Sequence, residues 1–301
     1  PLVVTSSLFF PFITGKAFFF RILVEVALAA YVTLVLLHKE YRPRMSVLGI
    51  LAIAFVGWMF IADLFGPNVT KAFWSNFERM EGWILLAHLL VFFFVASNVL
   101  RTEKRWREWF ITSVGVSAVL VGYALLQSVG KLAIHQGSTR IDATLGNSAY
   151  FAIYLLFNVF IAAWLAFTEK RSWLKWSMIA LAGIEAILIF FTETRGAILG
   201  LAVGLALAAL LVAFTGSGKA RRTAAIALAS IVLVAGVFYG VRNSSFVQEN
   251  HVLQRVASIS LNDGKTRFTL WGLAWQGFTE RPMLGWGQEG FNYVFLSLIH
   301  I

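Results

Sequence analysis

The sequence predicts an all-α integral membrane protein that crosses the bilayer several times. Of its 301 residues, 59% are hydrophobic and only 13% are charged, and the mean hydropathy is +0.76. Soluble globular proteins do not have such a composition. Apolar runs of about 18–20 residues recur along the chain, and this is the length that crosses a hydrocarbon core of roughly 30 Å. The charge of the connections between these runs alternates, as in multi-pass membrane proteins.

We expect about nine transmembrane helices. They cover Leu2–Ile13, Phe18–Leu37, Val47–Phe65, Gly82–Leu100, Trp109–Ser128, Asn147–Phe167, Leu174–Phe191, Ala197–Phe214 and Ala224–Val241. The first of these is short, the chain begins with Pro1 rather than Met, and no closing element precedes Ile301. We therefore expect a fragment, with a truncated first helix.

Basic residues mark every second connection. They are Lys39, Arg42 and Arg44, then Arg101, Lys104, Arg105 and Arg107, then Lys170, Arg171 and Lys175, and finally Lys219, Arg221 and Arg222. An excess of Lys and Arg in short loops marks the cytoplasmic side. The outer side then carries residues 66–81, 129–146, 192–196 and 242–301. Basic residues placed in this way contact anionic lipid head groups, so the net charge of +10 does not indicate nucleic-acid binding.

Two domains follow from this topology. Residues 1–241 form the transmembrane helical domain, and residues 242–301 begin a large outer loop. Within that loop, Asp263 or Thr266 can start an amphipathic helix that Pro282 ends. Its apolar stripe contains tryptophans, which favours a position along the membrane surface; the stripe comprises Leu270, Trp271, Ala274, Trp275 and Phe278.

Arg195 interrupts a long apolar stretch and starts a predicted helix on the outer side. Because a helix start carries partial positive charge, a cation there is unfavourable unless an anion lies nearby. Guanidinium and helix N–H groups together bind phosphate or carboxylate well. The alternatives are an ion pair with Glu193 or contact with head groups. Thr192 or Thr194 can cap this helix, and the spacing of Gly196, Gly200 and Gly204 indicates close helix packing.

Three further features lie on the predicted outer side. In Arg140–Ser148, Gly146 permits a tight turn, and Asn147 or Ser148 can cap the next helix. Arg140 there is either a weaker third anion ligand or a flanking charge. Arg267 begins the amphipathic helix, as Arg195 begins its own, and is otherwise a solvated charge. Gly285-Trp286-Gly287 is a predicted tight turn that presents one aromatic side chain.

These motifs together resemble the O-antigen ligase/polymerase-related family. Arg267-Phe268-Thr269-Leu270-Trp271, followed by Ala274, Phe278 and Arg281 to Gly287, resembles its conserved block. Thr194-Arg195-Gly196-Ala197 looks like its arginine motif. Leu145-Gly146-Asn147-Ser148-Ala149-Tyr150 looks like its Gly-Asn-Pro-Asn-Tyr element, with Ser148 replacing the proline and Ala149 the second asparagine.

The resemblance implies a GT-C-like membrane fold and transfer of a glycan from undecaprenyl diphosphate at the outer face of the bacterial inner membrane. The acceptor would be lipid A core, a protein hydroxyl or another glycan. Neither a metal nor a cofactor is implied. Arg195 and Arg267 would act on the diphosphate, and Arg140, Asn147 and Trp286 would help to bind the substrate. The family's loop histidine, the expected general base, would lie beyond residue 301.

A secondary transporter or flippase is the alternative from another class. Glu25 and Glu185 lie inside predicted spans and would then be coupling sites, with the Thr192–Gly196 break at the substrate site. The outer charges gather at the rim rather than at the midplane, which favours the transferase. A non-catalytic membrane scaffold is a third possibility. The absence of cysteine excludes disulfides and thiolate metal sites, and His251 is expected to be a solvated loop residue.

Overall fold

The computed structural model describes residues 1–76, 79–136, 139–258 and 261–299. Over these ranges the chain forms α-helices, two short 3₁₀ turns and connections, without a strand. The helices are α1 (Thr14–Leu37), α2 (Val47–Leu64), α3 (Val69–Trp74), α4 (Trp83–Val99), α5 (Glu103–Ser128), α6 (Ser148–Thr168), α7 (Ser172–Phe191), α8 (Arg195–Thr215), α9 (Gly218–Val241), α10 (Ser245–Glu249), α11 (His251–Ala257), α12 (Leu261–Glu280) and α13 (Phe291–Ile299).

Seven of the described helices are long and apolar enough to cross a membrane: α1, α2, α5, α6, α7, α8 and α9. Helix α4 is apolar but has only 17 residues. These eight helices correspond to the predicted spans after the first. The all-helical class is therefore confirmed, and the helices are what a multi-pass membrane protein requires.

The predicted helix over Leu2–Ile13 is wrong. This segment is irregular and contains turns, in which the Thr5 N–H donates to the Pro11 carbonyl at 3.1 Å and the Leu8 N–H to the Thr5 carbonyl at 3.0 Å. Pro11 has no N–H and disfavours a helical residue before it. Hydroxyl side chains at residues 5–7 also offer the backbone competing hydrogen bonds. Hydropathy alone did not reveal either effect.

Two helices begin six residues earlier than predicted. Helix α5 starts at Glu103 rather than Trp109, and α9 starts at Gly218 rather than Ala224. Apart from Arg101, the basic residues assigned to those connections therefore lie in the first turns of the helices. Lys, Arg and Glu are good helix formers, so the helix extends beyond the apolar segment that hydropathy detects.

The chain divides into two compact units. One comprises residues 1–2 and 107–260, and the other comprises residues 3–106 and 261–301. The predicted boundary between a membrane domain and an outer loop at residue 241 concerns the bilayer and stays a prediction.

In the first unit, α6 packs against α7 and α8, and α8 packs against α9. Its core contains fully buried Leu120, Phe151, Leu155 and Ile189. The predicted glycine stripe is confirmed at two of its three positions. A Cβ on Gly200 would lie 3.1 Å from the Leu156 side chain, and one on Gly204 would lie 2.5 Å from the Phe160 ring. Gly196 has open space around it.

In the second unit, α4 packs against α1 and α2, and α12 packs against α13. The turn after α12 is fixed to α2. The indole N–H of Trp58 donates to the Met283 carbonyl at 3.0 Å, and the Gln288 N–H donates to the buried Asp63 carboxylate at 2.6 Å. The predicted helix from Asp263 or Thr266 to Phe278 is confirmed within α12, which ends before Pro282.

Candidate anion-binding site

The turn between α7 and α8 places Arg195 at the first position of α8. The backbone of Glu193 has φ of 51°, a left-handed conformation that reverses the chain within a few residues. Thr194 occupies the N-cap position, but no side chain caps the helix. Instead the Thr192 hydroxyl donates to the Ile189 carbonyl at 2.6 Å. The predicted N-cap position of Thr194 is therefore confirmed, but neither hydroxyl makes the capping hydrogen bond, because the Thr192 hydroxyl donates to the Ile189 carbonyl of α7 and the Thr194 hydroxyl to the Thr192 carbonyl.

Arg140 joins the loop before α6 to this turn. Its Nε donates to the Thr192 carbonyl at 3.0 Å, and its Nη2 donates to the Thr194 hydroxyl at 3.2 Å. Burial lowers the pKa of the Arg140 guanidinium, as does the neighbouring Arg255, whereas Glu193 acts in the opposite direction. Arg140 thus lies near a second cation and one carboxylate.

Arg195 and Arg255 come together with Arg140 around Glu193 and Ser258. The Nη2 of Arg195 donates to the Ser258 hydroxyl at 2.9 Å. The Nε of Arg255 lies 3.9 Å from a Glu193 carboxylate oxygen. We call Arg140, Arg195 and Arg255 the arginine cluster. Its members come from three separate segments of the chain.

A cavity of about 310 Å³ adjoins the arginine cluster. It is lined mainly by polar groups, among them Glu193, Gln248, His251, Gln254, Arg255 and Ser258. His251, expected to be a solvated loop residue, is exposed as expected, but it begins α11 and lines this cavity. Cationic and amide donors in one recess suit an anionic or hydroxyl-rich ligand.

Buried polar bonds hold the loop that carries Arg140. Asp142 is fully buried and accepts from the Gln127 amide at 2.8 Å and from the His135 N–H at 2.9 Å. The other end of the Gln127 amide accepts from the Ala143 N–H at 2.8 Å. A buried polar group that loses its hydrogen-bond partner costs free energy. Other conformations of the loop would break these bonds, so this arrangement keeps the loop in one conformation.

Asn147 caps α6. Its side-chain oxygen accepts from the Ala149 N–H at 2.8 Å and from the Tyr150 N–H at 3.3 Å. Gly146 precedes it with φ of 65°, in the left-handed region that glycine adopts without strain. The predicted cap and turn are confirmed, and the role of Asn147 in substrate binding stays a prediction.

Arg267 and Trp286 belong to the other unit. Arg267 is exposed on α12. Trp286 lies in the predicted tight turn, where Gly285 has φ of 62° and Gly287 has φ of 72°. The indole N–H of Trp286 donates to the Gly277 carbonyl at 3.0 Å, and the Arg281 guanidinium lies 4.1 Å from its ring centroid. These contacts fix the indole, and the predicted substrate roles of both residues remain untested.

The two glutamates in the predicted spans differ in environment. Glu185 is fully buried on α7 and accepts a hydrogen bond from the Ser117 hydroxyl. The Glu25 side chain is 66% exposed on α1 and lies 3.3 Å from His88. Over the described ranges of the chain, no three His, Asp or Glu side chains come together as metal ligands would.

Sequence reasoning did not identify Arg255. Nothing in its local pattern distinguishes it from other polar residues of 242–258, and only the turn through α10 and α11 brings it to Glu193. The hydrogen bond between Gln127 and Asp142 was not predicted for the same reason, since the two residues lie 15 positions apart. One local signal existed: aspartate two residues after Arg140 in an otherwise apolar stretch suggests a buried bonding partner.

The fold and the arginine cluster define a multi-pass helical membrane protein with a cation-rich site at one end of its α7–α8 hairpin. Residues 180–299 match the family model described as O-Antigen ligase. The match includes the Arg195 motif and the block from Arg267 to Gly287, so the resemblance to this family is confirmed there. Arg140 and Asn147 precede the matched region. Neither the comparison with curated proteins nor the one with solved structures found a match.

Proposed function

We propose that this protein transfers a glycan from a polyprenyl diphosphate carrier to an acceptor, as an O-antigen ligase does. The family match supports glycan transfer of the ligase or polymerase type. The observation that carries the proposal is the arginine cluster, in which three cations from separate segments meet at an uncapped helix start.

The proposed reaction breaks the bond between the anomeric carbon and the diphosphate oxygen. An acceptor hydroxyl forms the new glycosidic bond, its proton passes to a base, and the polyprenyl diphosphate leaves with the bonding electrons. Negative charge develops on the leaving oxygen, and preorganised cations and N–H donors stabilise such charge best. The arginine cluster and the start of α8 supply both. We propose that they make a metal unnecessary.

Glu193 has a supporting role in this proposal. It accepts from the Thr139 hydroxyl at 3.3 Å and holds Arg255 at 3.9 Å. A long, half-exposed ion pair of this kind is weak. When a diphosphate enters, Arg255 can turn to it without losing a strong partner. The proposed substrate-binding roles of Arg267, Asn147 and Trp286 rest on the resemblance alone.

The proposal places the arginine cluster on the periplasmic side of the bacterial inner membrane. The partners of the protein are then the lipid-linked glycan, the bilayer and an acceptor. If the protein is a ligase, the acceptor is lipid A core. A glycan acceptor would make the protein a polymerase, and a protein hydroxyl would make it a protein oligosaccharyltransferase. Offering each acceptor in turn to the same membranes distinguishes the three.

The test is glycan transfer in membranes that contain the natural protein and its variants. We expect Arg195→Ala and Arg255→Ala to lower the rate by about 100-fold or more, the effect of removing one oxyanion donor. Arg267→Ala tests the residue assigned by resemblance. The matched control is Arg222→Ala, an exposed arginine in the first turns of α9. EDTA should leave the rate unchanged. Normal rates for both Arg195→Ala and Arg255→Ala would refute the proposed diphosphate site.

A further inference from the structure

A second cavity lies at the opposite ends of α6 and α7 from the arginine cluster. Its volume is about 540 Å³, and it adjoins the connection between these two helices. Its lining includes the cationic side chains of Arg107, Lys170 and Arg171 and the apolar side chains of Ile111 and Leu174. We call these two sets of lining residues the cationic wall and the apolar wall.

The charges of the cationic wall do not cancel. Glu169 is the acidic residue that lines it; its carboxylate accepts from the Arg107 guanidinium and, at 2.9 Å, from the Arg171 N–H. The pKa of Glu169 is lowered by these two donors, the Arg171 N–H first, so the carboxylate stays ionised. One cation is thus paired, and the exposed side chains of Lys170 and Arg171 give the cavity a net positive charge.

The start of α7 adds to this field. This 20-residue helix has Arg171 at its N-cap position and no side-chain cap. Its first N–H groups and its dipole therefore favour a negative group at the place where the charges of Lys170 and Arg171 also favour one. The cavity is large enough for a phosphate and the glycerol next to it.

We infer that this cavity binds an acidic phospholipid of the surrounding leaflet. Its phosphate lies against Lys170, Arg171 and the start of α7, and the upper part of an acyl chain lies along Ile111 and Leu174. A free anion would use only the cationic wall, whereas a lipid uses both. Basic pockets between membrane helices bind anionic head groups in this manner. The inference is independent of the proposed glycan transfer.

Thermal unfolding of the purified full chain in detergent tests the inference. The probes are a short-chain phosphatidylglycerol, a phosphatidylcholine with the same acyl chains, and inorganic phosphate. We expect phosphatidylglycerol alone to raise the unfolding temperature. The double variant Lys170→Gln/Arg171→Gln should require about 25-fold more of it for the same rise, since each of the two charges near a membrane surface contributes on the order of a factor of five. Ile111→Ser should also weaken the effect.

The control double variant is Arg221→Gln/Arg222→Gln, which removes two exposed charges from the start of α9. It should respond to phosphatidylglycerol as the wild type does. An equal loss in this control would show a general surface attraction and overturn the inference. An equal rise with inorganic phosphate would show a free-anion site, and an equal rise with phosphatidylcholine would show no head-group selection. Either result also overturns it.

Discussion

The Nε of Arg140 donates to the backbone carbonyl of Thr192 across 3.0 Å, so one side chain ties the loop before α6 to the turn before α8. Thr192 is fully buried, and its carbonyl also accepts from the Thr194 hydroxyl at 3.3 Å. The same guanidinium reaches the Thr194 hydroxyl. Arg140 thus holds the segment from which Arg195 starts.

Arg140→Ala should lower the free energy of unfolding by about 1.5–3 kcal/mol, the usual contribution of a hydrogen bond that a charged group donates. Arg140→Lys keeps the charge but cannot make both bonds, so it should recover only part of the loss. Unfolding in detergent measures both, with Arg222→Ala as the control. Full stability of Arg140→Ala would show that the carbonyl does not depend on this bond.

Asn147 offers a test that separates folding from substrate binding. Asn147→Ala should destabilise the protein by about 1 kcal/mol through loss of the α6 cap. Asn147→Asp keeps the acceptor oxygen, so its stability should equal that of the wild type. Its added negative charge should nevertheless lower glycan transfer about tenfold or more if the diphosphate binds beside it. Normal transfer by Asn147→Asp would assign this residue to the cap alone.

The glycine stripe of α8 predicts opposite outcomes for the same substitution. Gly204→Ala places a Cβ 2.5 Å from the Phe160 ring of α6, and overpacking of this kind costs about 1–3 kcal/mol. Gly196→Ala meets nothing within 4 Å and should not lower stability. Unfolding temperatures of the two variants, measured side by side, decide the matter. Equal stability of both would mean that α6 and α8 do not pack closely at Gly204.

Local chemistry made much of the fold predictable. The break at Thr192–Gly196, the turn at Gly146 and the Asn147 cap each depend on residues within a few positions of one another. The apolar helices follow from length and hydropathy. The irregular start of the chain could not be predicted from length and hydropathy. Its composition is apolar, but Pro11 and the hydroxyl side chains before it disfavour a helix.

The candidate site was predictable only where it coincides with a helix start. Arg195 is conspicuous because it interrupts an apolar stretch. Its neighbours Arg140 and Arg255 come from residues 55 before and 60 after it, and no local pattern encodes that approach. The buried Asp142–Gln127 pair that holds the loop is equally non-local. Long-range packing thus decides which of several polar residues meet.

Glu169 should make stability depend on pH at low pH. Its pKa lies below the ordinary value of 4.5 because the Arg171 N–H and the Arg107 guanidinium stabilise the carboxylate. A lowered pKa in the folded state contributes stability above the unfolded value and loses it as pH falls through the folded value. Glu169→Gln should therefore be less stable than the wild type at pH 7, and the difference should shrink below about pH 4.5. Glu103→Gln, which removes an exposed acid, is the control for unfolding measured across this range.

Glu185 distinguishes the transferase from the transporter alternative. It is fully buried, and the Ser117 hydroxyl of α5 donates to it. In a transferase it is a packing and bonding group, so Glu185→Gln should keep the acceptor and retain at least half of the glycan transfer. Glu185→Ala should cost about 1–3 kcal/mol of stability, because it leaves the Ser117 hydroxyl without this acceptor. A coupling carboxylate must gain and lose a proton, which glutamine cannot do. Loss of substrate transport in Glu185→Gln at wild-type stability would therefore favour the transporter. Retained glycan transfer would exclude a required protonation step at Glu185.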